Sequence, residues 1–312
     1  TKWDVSAGND GSIMAWYKTA ASGALEVYIG GTTAIFANPN SSYLFANIGT
    51  ATKCTATEVV KNLDLVTTKR VTNMSYMFLN TGTTAMTTLN LGSNFNTEKV
   101  TNMTSMFNSC GMNKMSTLNL GGKFYTSEVT LMNNMFNSCG RYALTALNLG
   151  EYFDTSKVTD MAGMFHMLGY GTLEELDLGD KFYTKNVTNM KEMFYDCGGF
   201  AMTILDLGPA FTKIAGTYKD MFKATGKGGA ITIYASEQIY LDKNNFKLNT
   251  DATISAINYT RGTINPKYRT EWKKESVTVD ETNKKVMITL RGRTNPEAGT
   301  TYVSKLTSSL AT

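Results

Sequence analysis

The stretch VTNMTSMFNSCG, residues 100–111, decides the reading of the whole chain, because the chain nearly says it five times. The other copies are VTNMSYMFLNTG from residue 71, VTLMNNMFNSCG from 129, VTDMAGMFHMLG from 158 and VTNMKEMFYDCG from 187. The period is 29 residues without slippage. A fixed period of this size marks a repeat architecture. Each copy opens on Val and carries Met at +3, Met at +6 and Phe at +7, as in Val100, Met103, Met106 and Phe107. Those offsets lie on one face of a helix of about two turns. Thr follows each Val (Thr72, Thr101, Thr130, Thr159, Thr188), where a hydroxyl caps a first turn. Gly at +11 (Gly82, Gly111, Gly140, Gly169, Gly198) takes the left-handed conformation that ends a helix. The phrase therefore predicts cap, short helix and stop.

The rest of each unit predicts a strand. MTTLNLGSNF (86–95), MSTLNLGGKF (115–124), LTALNLGEYF (144–153), LEELDLGDKF (173–182) and MTILDLGPAF (202–211) share Leu-x-Leu-Gly. Two leucines around a polar residue make the alternation of a half-buried strand. A second Gly column turns the chain, and Phe95, Phe124, Phe153, Phe182 and Phe211 point back inward. Such a unit buries its apolar face only against its neighbours. The expected fold is an α/β repeat solenoid of leucine-rich-repeat type. Each coil would have one short parallel strand and one short helix, with β segments capping the ends.

The ends diverge from the repeat. Residues 41–65 and 215–235 read as degraded copies, and SIMAWYK and ALEVYIGG before them read as strands. The domain reading is an N-terminal β cap at 1–41, the solenoid at 42–235, a C-terminal cap and linker at 236–274, and a partial β module at 275–312. INPKYRTEWKKE (264–275) reads as the linker. Two strand-like runs around DETNKK (280–285) read as a hairpin, either the start of a β-sandwich or a swapped or docked element.

Composition excludes several classes. A net charge of +4 with mixed signs does not suit nucleic acid, and no apolar run of about 18 residues could span a membrane. The first residues do not read as a signal peptide; a leader and an anchor are expected outside this stretch. The four cysteines (Cys54, Cys110, Cys139, Cys197) show no C-x-x-C spacing, and His166 is the single histidine. No metal and no cofactor is expected.

The phrase F-x-T-x-x-V-T-x-M-x-x-M-F, then Cys or a substitute, Gly, and L-x-x-L-x-L-G, resembles the BspA-like leucine-rich repeats of bacterial surface proteins. FNTEKVTNMTSMF (95–107) and FDTSKVTDMAGMF (153–165) are close matches, and WDVSAGNDGSIMAWY (3–17) is similar to the segment that precedes such repeats. The resemblance runs over about residues 1–240. It implies an extracellular, secreted or wall-attached protein of adhesin type, often with further β modules downstream. It does not name a ligand.

Candidate sites are weighed against packing. The Met and Phe columns read as core. Cys110, Cys139 and Cys197 share a column with Thr81 and Leu168, so packing outweighs a bridge or a metal. Asn90, Asn119, Asn148, Asp177 and Asp206 lie between the strand leucines, as a stacked ladder or a polar binding stripe on the concave face; Glu175 joins them. Acids at Glu174, Glu175, Asp177, Asp180 and Asp206 leave open a calcium site or paired catalytic carboxylates, with no other part of a hydrolase beside them. The variable column after the helix-stopping Gly holds Met112, Arg141, Tyr142, Tyr170 and Phe200. Large residues where the scaffold makes no demand suggest a binding ridge. The expected function is a non-enzymatic, monomeric cell-surface adhesion module for a protein or glycan. The alternatives are a rigid spacer that displays another domain and, less favoured, a glycan-processing accessory.

Overall fold

Every second amide of the repeated phrase bonds to the next copy rather than within its own. Met74, Tyr76, Phe78 and Asn80 donate to the carbonyls of Asn102, Thr104, Met106 and Asn108 at 2.8–3.0 Å. The amides between them close three-residue turns: Met77 to Met74, Leu79 to Tyr76 and Thr81 to Phe78. The pattern recurs down to Asp196, which donates to Lys223. An α-helix would direct all of these bonds four residues back along the same segment.

This overturns the α/β solenoid with short helices. In the computed structural model, residues 71–226 contain no helix at all. Among the described residues, helical structure is limited to a 3-10 turn, Leu63–Leu65, and residues 238–239. The cause is a pair of left-handed residues in each phrase: Tyr76 and Asn80 (φ 60° and 53°), Ser105 and Ser109 (52° and 55°), Asn134 and Ser138 (both 56°), Gly163 and Met167 (60° and 54°), Glu192 and Asp196 (55° and 53°). One such residue every four reverses the backbone before a helical turn can propagate. Ser, Asn, Asp and Gly dominate those positions because they tolerate φ > 0. The Thr column is not a set of caps either. Thr101, Thr130, Thr159 and Thr188 donate by amide and hydroxyl to the carbonyl of the equivalent Thr one copy earlier.

The structure describes residues 2–6, 8, 10–32, 34–226, 230–236, 238–239, 256–261, 271–280, 285–294 and 300–309. Two units are distinct, Thr1–Gly262 and Thr263–Thr312. In the first, β1 (Lys2–Asp4), β2 (Ile13–Thr19) and β3 (Leu25–Gly31) form an antiparallel meander. Leu25, Val27 and Ile29 stay exposed on one face of it. β4 (Ile35–Phe36) pairs in parallel with β5 (Val66–Thr67). The repeat strands are three residues long and parallel: β6 (Thr88–Asn90) on β7 (Thr117–Asn119), and β8 (Glu175–Asp177) on β9 (Ile204–Asp206). β10 (Ala230–Ala235) and β11 (Ala256–Arg261) extend the second of these sheets in parallel. A ladder of single parallel bridges runs Asn40, Asn73, Asn102, Leu131, Asp160, Asn189 and Thr217, one per layer. The divergent copies at both ends thus lie in the same stack.

Two phenylalanine columns form its interior. Phe45, Phe78, Phe107, Phe136, Phe165, Phe194 and Phe222 stack face to face with centroids 5.3–5.8 Å apart. Phe124, Phe153, Phe182 and Phe211 stack beside them at 6.1–6.5 Å. The Val, Met and strand Leu columns are buried around them. Gly111 shows why its column admits nothing larger: φ is 56°, and a Cβ would sit 2.2 Å from Met115 Cβ.

The second unit is an antiparallel sheet of β12 (Glu271–Asp280), β13 (Lys285–Thr294) and β14 (Thr300–Ser309), with a bulge between Lys274 and Ser276. β12 begins inside the segment read as a linker. Its earlier part, residues 264–270, and most of the expected C-terminal cap, 240–255, lie outside the described residues. No helix among the described residues is long and apolar enough to cross a membrane.

Candidate functional site

The scaffold columns have no chemistry to spare. Cys110, Cys139 and Cys197 are free and fully buried, and burial pushes their thiols above the ordinary range. A thiol held protonated in an apolar core packs rather than attacks. No three His, Cys, Asp or Glu side chains group to hold a metal among the described residues.

The polar stripe works within its own layers. The side-chain oxygens of Asn90, Asn119, Asn148, Asp177 and Asp206 accept the amides of Gly92, Gly121, Gly150, Gly179 and Gly208 at 2.8–3.0 Å. Each residue therefore closes the turn that leaves its own strand, an Asx-turn, and is not a rung bonded to the next amide. Asn90, Asn119 and Asn148 are exposed, Asp177 and Glu175 half-buried, and Asp206 buried. The carboxylates of Asp177 and Asp206 are already committed to backbone amides.

The ridge residues do come together. The Arg141 guanidinium lies over the Tyr142 ring at 5.0 Å and the Tyr170 ring at 5.2 Å. Both distances lie within cation–π range. Tyr170 and Phe200 meet with their rings tilted by 59°, centroids 4.6 Å apart. Backbone bonds set the spacing: Tyr142 donates to Met112 at 3.1 Å, Gly171 to Arg141 at 3.0 Å and Phe200 to Tyr170 at 2.9 Å. Phe200 is 63% exposed and Tyr142 48%, large values for aromatic rings on a rigid backbone. Met112 is half-buried and joins through its carbonyl. Gly199 makes room, since a Cβ there would lie 2.6 Å from the Tyr170 ring.

Beside the ridge, His166 stacks on Tyr195 at 4.9 Å, and Lys223 lies 5.7 Å over that Tyr195 ring. His166 Nδ1 and Arg141 Nε are both buried without a hydrogen-bond partner. Burial lowers the imidazole pKa; Glu192 opposes the shift and Arg141 adds to it. The unpartnered Nδ1 thus bonds to no hydroxyl or thiol among the described residues.

Sequence reasoning missed two other aromatic clusters. Tyr43 and Tyr76 stack at 4.7 Å, both left-handed with φ 60°. Their signal was a bulky ring in a column otherwise filled by Ser, Asn, Gly and Glu. Tyr125, which follows Phe124 in the sequence, and Tyr152, which precedes Phe153, meet at 4.7 Å.

The family described as "Mycoplasma protein of unknown function, DUF285" matches two overlapping stretches, residues 46–166 and 111–229. No curated protein and no solved structure matches. The two stretches together take in all five regular copies and more than half of the chain, and the chain belongs to the DUF285 family.

Proposed function

We propose that this chain is a non-enzymatic binding module of the BspA-like kind, displayed at the cell surface, that recognises a protein or glycan through the Arg141–Tyr142–Tyr170–Phe200 ridge. The observation that carries this reading is one cluster of a cation and three aromatic rings, exposed at Tyr142 and Phe200 and half-buried at Arg141 and Tyr170, at positions the scaffold leaves free. Tyr and Arg dominate the residues that carry binding energy at interfaces. Neighbouring columns are filled by residues with packing or turn-closing duties, so the ridge is where variation is cheap. Replacing Tyr142, Tyr170 and Phe200 together by Ala should abolish capture on a matrix-protein and glycan array while leaving the melting temperature nearly unchanged. Binding that survives the triple change rules the ridge out. The second reading is a rigid spacer. The unbroken bridge ladder from Asn40 to Thr217 favours it, and it predicts no ligand anywhere on the array.

A further inference from the structure

Arg141 is the least explained residue of the ridge as a part of the fold. Its inner nitrogen, Nε, is buried with no acceptor. It takes part in no ion pair among the described residues. A buried donor without a partner costs stability, and a native structure keeps one for a reason. The ridge column itself supplies no counter-charge. Its residues are Thr83-Thr84, Met112-Asn113, Arg141-Tyr142, Tyr170-Gly171 and Gly199-Phe200, with no carboxylate among them. The guanidinium is therefore a fixed positive charge held between two rings, offering a flat fork to whatever approaches.

We propose that Arg141 is the anchor for a carboxylate on an acidic sugar, and that the ridge takes a linear uronate-containing glycan lying across successive layers. This rests on the ridge being the binding surface. Three observations select the ligand chemistry. A guanidinium fork pairs with a carboxylate in a bidentate way. Tyr142, which the guanidinium overlies, and Phe200, which packs on Tyr170, are exposed rings against which the C–H face of a pyranose can pack. In successive layers one amide of the ridge column, that of Tyr142, Gly171 or Phe200, bonds to the preceding layer, so the column keeps its register from layer to layer. A uronic acid carries its carboxylate on the same ring whose face packs, which matches a cation set among aromatic rings. An Asp or Glu side chain brings the charge on a flexible stem with no such face.

The test is isothermal titration of the full chain with a hyaluronan octasaccharide and an alginate octamer. The same two oligosaccharides with their carboxyls reduced to alcohols, and a Glu-rich octapeptide, serve as the comparison probes. At least one uronate oligosaccharide should bind, and its reduced form should bind at least about tenfold more weakly, the loss of one charge-assisted contact. Arg141→Gln should lose about the same factor while keeping the far-ultraviolet dichroism and the cooperative melt of the folded stack, since no hydrogen bond of the fold ends on its Nε. Arg141→Lys should recover only part, since it keeps the charge and not the fork. Phe200→Ala should weaken the native and reduced sugars alike. Equal binding of native and reduced sugars, still lost on Phe200→Ala, overturns the carboxylate anchor while leaving the ridge in place. Binding of the peptide but of neither sugar makes an acidic protein the occupant and overturns the proposal. Silence of both uronate sugars also overturns it. Binding indifferent to both Arg141 and Phe200 overturns the ridge as well.

Discussion

At the scale of single residues, His166 shows how the stack sets the chemistry of a side chain. Burial holds its imidazole below the ordinary value of 6.5, Arg141 pushes in the same direction, and Glu192 pulls back. The folded chain therefore binds this proton less tightly than the unfolded chain. The stability it contributes is fully present above pH 6.5 and is lost as pH falls through the lowered folded value. Chemical denaturation from pH 7.5 down to about 5 should show stability dropping on the acid side. His166→Phe, which keeps a ring against Tyr195, should flatten that drop; an unchanged slope would show that other groups set it. The imidazole's position beside Arg141 was not legible beforehand, because the two residues come from different layers and from columns four places apart.

At the scale of the element, the layer is held by a column that the sequence displays plainly but whose role it conceals. Thr68, Thr97, Thr126, Thr155 and Thr184 stand three residues before each Val and are buried. The Thr126 hydroxyl donates to the Asp154 carbonyl at 2.8 Å and accepts the Asp154 amide at 2.7 Å. Thr68 does the same with Asn96. A single hydroxyl thus satisfies both backbone groups of a residue one layer away. Thr126→Val keeps the shape and removes both bonds, so it should cost roughly 1–3 kcal/mol by denaturant unfolding. Thr126→Ser should cost less, since the hydroxyl stays. Equal losses for the two would assign the effect to packing of the methyl group. The apolar offsets read as a helical face for a related reason. A buried set at 0, +3, +6 and +7 satisfies a helix of 3.6 residues per turn, and it equally satisfies a run of three-residue turns with periodic left-handed reversals. The Ser, Asn, Asp and Gly bias at +5 and +9 was the discriminating signal.

At the scale of the molecule, each layer bonds and packs only with its neighbours, so stability should sum over layers. Deleting residues 130–158, one whole period, joins Val129 to Thr159, the residue that follows Val in the next copy. That variant should fold cooperatively, with the same far-ultraviolet dichroism shape and a lower denaturation midpoint. Deleting half a period should unfold the stack, because it shifts the Phe columns out of register. If the two deletions behave alike, nearest-neighbour stacking is not what holds the first unit together.

The sequence by itself determined the 29-residue period, the buried columns, the glycine positions and the short parallel strands at Leu-x-Leu. These depend on local spacing and on the need to bury a face against an equivalent neighbour. Only the tertiary structure decided the partners of each amide. A backbone donor has the same sequence signature whether it bonds four residues back or one layer on, and the choice is made by neighbours 28 or 29 residues away. The same holds for the ridge. Variability marked Arg141, Tyr142, Tyr170 and Phe200, but their contact arises because three layers hold them in one row.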